Sequence, residues 1–311
     1  MKHVIFDGMN LLCRSHFVYD VRAGLSTEAG IPTGAIYGML RSLVSWRKKH
    51  PRARFWVAWE GDEEQNGAHV ESRRALHASY KEGRGGALGD GLSVQLDLLK
   101  PILSALRVYQ VQAQGYEADD IIAWLTREAP ASGEDVYGSP DDVRVLVSTD
   151  RDLLQLVTDR VVVMSPDGKK SHDASSVREQ FHGIGPSNLL PFRALSGDSS
   201  DGLPGLKRVP RKIIARLVTE HEGSLDSIYK AGFADLTAYQ RKTLTAFASQ
   251  ALVNEAVMRF QTPDEPKLLE GAGDPDRVRA ACEILEMSSM VEPLVGMIEE
   301  PKGFYRTGEL L

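Results

Sequence analysis

Three short apolar runs, each closed by an acidic residue, constrain this chain most: HVIFD at 3–7, RFWVAWE at 54–60 and VRVLVSTD at 143–150. Near-continuous apolar runs of this length suit strands buried on both faces, as in a parallel sheet, and parallel neighbours need long crossovers. The segments between supply them, with helical patterns at 33–49, 92–108 and 117–129. The expected fold class is α/β, with a mostly parallel central sheet flanked by helices. In open α/β sheets functional groups gather at the carboxyl ends of strands, so Asp7, Glu60 and Asp150 point to one crevice.

Past residue 185 the pattern turns helical, in SNLLPFRALSG, PRKIIARLVTEH and LTAYQRKTLTAFASQALVNEAVMRF, with a soft boundary at GIGPS (183–187). The expected organisation is a core at 1–185 and a mostly helical region with a tail at 186–311. Gly-rich stretches at 81–91 and 130–142 read as loops. The tail holds one helical pattern, DRVRAACEILEM, and suggests no chemistry.

With 311 residues, 42% of them hydrophobic, the chain can bury a core unaided. Cys13 and Cys282 form no disulfide or zinc pattern, and a reducing cytoplasmic compartment is expected. No stretch has the apolar length of a membrane span, and MKHVIFDGMNLL is too short a run for a secretory signal.

The acids carry the chemistry. Glu117, Asp119 and Asp120 crowd a helix start in GYEADDII, Asp150 and Asp152 flank Arg151 at a strand end, and Asp198 and Asp201 share the loop SGDSSDG. One capping acid would serve a helix N-terminus. With Asp7 and Glu60 there are nine carboxylates, and in one crevice they would repel and raise each other's pKa unless cations sit among them. Oxygen-only donors suit hard divalent ions, and paired ions suit phosphodiester hydrolysis.

Cations are clustered too. Residues 202–218 carry Lys207, Arg208, Arg211, Lys212 and Arg216 with no acid, after an LPG turn ending at Gly205 and before a helix expected to start at Pro210. A solvated basic face looks similar. A second set, Arg73, Arg74, Tyr80, Lys81 and Arg84, leads into the Gly-rich loop, where Lys81 and Arg84 would meet a scissile phosphate and Tyr80 would stack. The run from Arg41 to Arg54 reads instead as helix-end cations matched to the dipole.

In order and spacing, FDGMNLLCR, SYKEGR, GYEADD, STDRDLLQL and SGDSSDGLPGLK resemble the structure-specific 5′-nuclease family: phage 5′-exonucleases, flap endonucleases and the 5′-nuclease domain of bacterial DNA polymerase I. The likeness spans roughly 1–260 and implies a PIN-like nuclease core with a helical arch near 80–95 and a helix-three-turn-helix region. It implies Asp7, Glu117, Asp119 and Asp120 as ligands of one metal region, and Asp150, Asp152, Asp198 and Asp201 of a second. Glu60 stands where the family has Asp, with Asp62 the alternative. Lys81, Arg84 and Tyr80 match catalytic positions. Arg14, Arg73, Arg193, Gly205, Lys207, Arg208, Arg211 and Lys212 are the expected DNA-binding set. The turn Arg208-Val209-Pro210 departs from the family's second glycine turn.

The implied cofactors are two or more Mg²⁺ or Mn²⁺ ions, with K⁺ at the helix-three-turn-helix. The implied partners are DNA with 5′ flaps or duplex ends, RNA–DNA hybrids, and a separate DNA polymerase. A monomer is expected, and the end at Leu311 fits a free-standing phage or bacterial enzyme. Two other readings stand beside this: a PIN-like ribonuclease without the helical DNA grip, and a catalytically silent DNA-structure-binding protein. The net charge of −6 gives no hint of nucleic acid, yet setting aside the nine site acids turns it into +3.

Overall fold

A computed structural model describes residues 2–61, 73, 75–78, 80, 89–127, 142–264 and 266–298. Asp62, Arg74, Lys81, Arg84 and the core of the expected arch lie outside the described residues.

Seven strands form one sheet, ordered β6-β5-β4-β1-β2-β3-β7. They are β1 Lys2–Asp7, β2 Arg54–Ala58, β3 Tyr109–Gln112, β4 Val143–Val147, β5 Val161–Met164, β6 Ser171–His172 and β7 Lys267–Leu269. The five inner strands are parallel and both edges antiparallel, in register through pairs such as Phe6↔Val57 and Phe6↔Val147. The helices are α1 Gly8–His16, α2 Gly34–Lys49, α3 Asp90–Ala105, α4 Ala118–Arg127, α5 Ala174–Gln180, α6 Leu189–Ser196, α7 Arg211–Glu220, α8 Leu225–Lys230, α9 Ala238–Met258, α10 Pro275–Ile284 and α11 Val291–Ile298.

Side chains alternate across the sheet, so β1 feeds two cores. Val4 and Phe6 pack with Phe55, Val57, Val145 and Val147 against α2, α3, α10 and α11. Ile5 packs with Trp56, Leu146 and Ile121 in the core that also joins α5 through α9. Trp46, Trp56 and Trp59 are each 1% exposed, and burying an aromatic of this size contributes roughly 3 kcal/mol.

Among the described residues, the strands expected at 3–7, 54–60 and 143–150 and the helices expected to flank and follow them are present. The tail, however, does not continue the helical region. Its β7 pairs antiparallel with β3, and Val278, Cys282, Leu294 and Val295 are buried against α2 and α3. Pro210 is the cap of α7, with Arg211 the first helical residue.

Candidate metal and nucleic-acid site

Asp7 ends β1 and caps α1, accepting from the Asn10 amide at 3.0 Å while Ser148 Oγ donates to its other oxygen at 2.8 Å. The next residue must be small, because a Cβ on Gly8 would lie 2.4 Å from the Trp59 ring. That close approach lets β2 deliver Glu60 beside Asp7. Burial pushes the Asp7 carboxyl up to about 6, with Asp150 and Glu60 adding repulsion against the two hydrogen bonds.

Beyond β4 the chain turns on its own side chains. The Asp150 amide donates to Ser148 Oγ at 3.0 Å, and the Asp152 amide donates to Asp150 Oδ1 at 2.8 Å. Burial pushes Asp152 up to about 7; Arg193 opposes this, and Asp150, Asp201 and Asp198 reinforce it. In the loop after α6, backbone bonds pair Asp198 with Leu203, and the Ser200 amide donates to Asp198 Oδ1 at 2.8 Å. One oxygen each from Asp152, Asp198 and Asp201 lies within 4.8 Å of the others.

Glu117, Asp119, Asp150, Asp152 and Asp201 line one cavity, closed by Val257, Met258 and Phe260. Asp120 is turned away from it. Its Oδ1 takes the Gln261 amide at 2.7 Å and Arg73 Nη2 at 2.8 Å, and its Oδ2 accepts from the Glu117 amide at 3.2 Å. Asp120 thus serves the protein interior, in contrast to the ligand role the sequence implies.

Three expected nucleic-acid contacts are also inside. Arg73 is buried between Glu117 Oε2 at 2.6 Å and Asp120. Arg193, 8% exposed, pairs with Asp152 Oδ1 at 2.7 Å and with Asp198. Tyr80, 4% exposed, donates its hydroxyl to Glu117 Oε2 at 3.2 Å rather than presenting a free ring. The reason is common to all three: buried carboxylates need donors or cations, and these side chains are the ones in reach.

A groove of about 870 Å³ runs beside the acids, lined by Asn10, Thr149, Arg151, Arg193, Gly205 and Arg211 among others. Arg14, Lys207, Arg208, Arg211 and Lys212 are exposed. Arg208 adopts φ 59°, in the turn Arg208-Val209-Pro210 that departs from the family's second glycine turn. Arg216 instead pairs with Asp235 at 2.5 Å. Sequence reasoning passed over Ser148, which fixes Asp7 and Asp150 together, and His77, whose Nε2 donates to the Gly202 carbonyl at 3.1 Å. Ser148 sits two residues before Asp150 in the STD motif, the one signal available.

The donor set fits hard divalent ions: it is all oxygen, crowded and partly desolvated. The metal-free site should therefore carry a pH signature. The raised pKa of Asp7 means the folded state keeps a proton that the unfolded chain has released between about pH 4 and 6, so stability falls as pH rises through that window. In EDTA the loss from this group should be about 3 kcal/mol. Thermal melts against pH should show the fall in the wild type and a flatter curve in Asp7→Asn; equal slopes would refute the assignment.

Residues 2–182 match the family described as "5′-3′ exonuclease, N-terminal resolvase-like domain". A 5′-3′ exonuclease of Aquifex aeolicus is 29% identical, over 93% of this chain and 93% of its own length. The thermostable DNA polymerase I of Thermus thermophilus is 32% identical over 96% of this chain, which spans about a third (34%) of that polymerase. In fold, the chain is similar to zinc-bound T5 5′-exonuclease, with TM-score 0.64 and 18% identity over 96% of this chain and 100% of that one. It is also similar to flap endonuclease-1 of Methanococcus jannaschii, with TM-score 0.56 and 16% identity over 96% and 92%.

Proposed function

This chain belongs to the 5′-3′ exonuclease family, and from that premise we propose that it is a divalent-metal-dependent 5′-nuclease that hydrolyses phosphodiesters in 5′-flapped, branched or 5′-ended DNA. The observation that carries the proposal is the convergence of Asp152, Asp198 and Asp201 within 4.8 Å, in a crevice shared with Glu117, Asp119 and Asp150. When bound there, Mg²⁺ or Mn²⁺ would supply a hydroxide at neutral pH and charge stabilisation for the leaving oxygen.

Asp150, Asp152, Asp198 and Asp201 would hold one ion region, and Asp7, Glu60, Glu117 and Asp119 the other. Ser148 orients Asp7, while the hydrogen bonds within 148–152 fix the spacing of the second pair. The exposed cations Arg211, Lys212, Lys207 and Arg208 would hold duplex phosphates, and shape rather than base sequence would be recognised. Arg14 would join them, Lys81 and Arg84 would face the scissile phosphate, and K⁺ would sit at the turn before α7. On this reading 1–185 supplies most of the acids, and 186–311 adds Asp198 and Asp201 together with the duplex grip. RNA–DNA hybrids as substrate, a polymerase partner, a monomeric state and a cytoplasmic setting complete the proposal; among the described residues no helix is long and apolar enough to cross a membrane.

A PIN-like ribonuclease would share the acids but prefer unpaired RNA. With Mg²⁺, cleavage of a 5′-flap DNA should exceed that of a matched single-stranded RNA by roughly 100-fold, since shape recognition is lost in the latter. Equal or inverted rates would favour the ribonuclease.

A further inference from the structure

Arg193 occupies the oxygens that a metal would take. Its Nη2 lies 2.7 Å from Asp152 Oδ1 and also reaches Asp198 Oδ2, so one guanidinium holds two of the three acids that converge within 4.8 Å. A guanidinium does not deprotonate in proteins, so the charge cannot be shed to make room. The grip is partial, however. Asp152 Oδ1 meets Arg193 as an ion pair without hydrogen-bond direction, and Arg193 Nε is buried with no hydrogen-bond partner among the described residues. Arg193 also lines the 870 Å³ groove together with Arg151 and Arg211.

We propose that Arg193 is an exchangeable counter-ion: it neutralises Asp152 and Asp198 in the metal-free protein, yields them when divalent ions enter, and is thereby released to a DNA phosphate in the adjoining groove. The inference rests on the nuclease reading. It differs from a purely structural ion pair in the sign of its consequence. A structural pair preorganises the acids, so its removal weakens metal binding. A competitor blocks them, so its removal strengthens it.

The test is Mn²⁺ binding to the 311-residue chain without DNA, followed by electron paramagnetic resonance of the free ion. Arg193→Gln should bind Mn²⁺ at least roughly fivefold tighter than wild type, the low end of coupling between two ligands. Arg193→Lys, which keeps the charge, should stay near wild type. The metal-free Arg193→Gln protein should also melt at a lower temperature, having lost its internal counter-charge. If Arg193→Gln does not fold, Arg193→Met, which keeps the buried stem, carries the same measurement. Unchanged or weaker Mn²⁺ binding in the folded variant overturns the exchange and leaves the nuclease reading intact. No saturable Mn²⁺ binding in the wild type overturns both.

A second readout follows the arginine itself. Adding Ca²⁺ should raise wild-type affinity for a labelled 5′-flap duplex, and the gain should be several-fold smaller in Arg193→Gln. An equal gain in the two proteins contradicts release of the side chain to phosphate.

Discussion

Asp150→Ala combined with Asp152→Ala should reduce cleavage by on the order of 10³-fold or more while sparing DNA affinity, because charge stabilisation at the reacting phosphate is the largest single contribution to such chemistry. Asp150 lines both the small acidic cavity and the long groove, and Asp152 belongs to the tight trio with Asp198 and Asp201. Phosphate contacts come from exposed cations, and deleting two nearby negative charges cannot weaken those. The variant should not be fragile either. Burial and the neighbouring Asp150, Asp201 and Asp198 all disfavour the ionised Asp152, so its removal relieves repulsion while Arg193 keeps Asp198. Single-turnover cleavage and fluorescence anisotropy on one labelled flap substrate separate the two effects. Turnover within tenfold of wild type would refute the ligand assignment.

Gly205→Ala is the second large effect, and it acts through backbone. A Cβ at this position would lie 1.9 Å from the Ser196 carbonyl oxygen and 2.4 Å from its carbon. Neither can swing aside as a side chain would. The two segments are clamped: Asn254 Nδ2 donates to the Ala194 carbonyl at 2.8 Å and the Pro204 carbonyl at 2.7 Å, and the Leu206 amide donates to the Leu195 carbonyl at 2.9 Å. Relief requires α6 to part from the turn, which drags the Asp198–Asp201 loop and the base of α7 with it. Overpacking of this kind costs about 3 kcal/mol, a fall of several degrees in melting temperature, and metal and DNA affinity should decline together. Gly296→Ala is the control, since its Cβ would meet nothing within 4 Å among the described residues. A normal melting temperature for Gly205→Ala would contradict the packing argument.

The parts of the fold that were legible in the sequence are those whose burial is written locally. β1, β2 and β4 each present a near-continuous apolar run because both faces are covered, and the acids at their ends mark the crevice. β3 was hidden because its YQVQ carries two glutamines, one of them, Gln110, buried to hold the Trp59 indole at 3.0 Å. β6 and β7 are two and three residues long, below the length at which a period can be read. The return of 267–298 to the sheet depends on contacts with α2 and α3 more than 150 residues earlier, and no local pattern reports that.

The candidate site shows the same division. Spacing identified the acids, since pairs at element ends are excessive for capping alone. Spacing could not say which way a charge faces. Arg73, Arg193 and Tyr80 look like surface groups in one dimension, yet each is drawn inward by a carboxylate that burial would otherwise leave unpaired. Asp120 looks equivalent to Asp119, but its two oxygens are already committed to Arg73, Gln261 and the Glu117 amide.

The central claim is metal-dependent cutting directed by DNA shape, and one measurement tests it most directly: a 5′-flap duplex, labelled at the flap strand's 3′ end, incubated with purified protein in Mg²⁺, in Mn²⁺ and in EDTA. The account predicts a discrete product cut near the junction of single and double strand with either ion, and none in EDTA. An intact flap in both ions, while an active control nuclease cuts the same substrate, would contradict it.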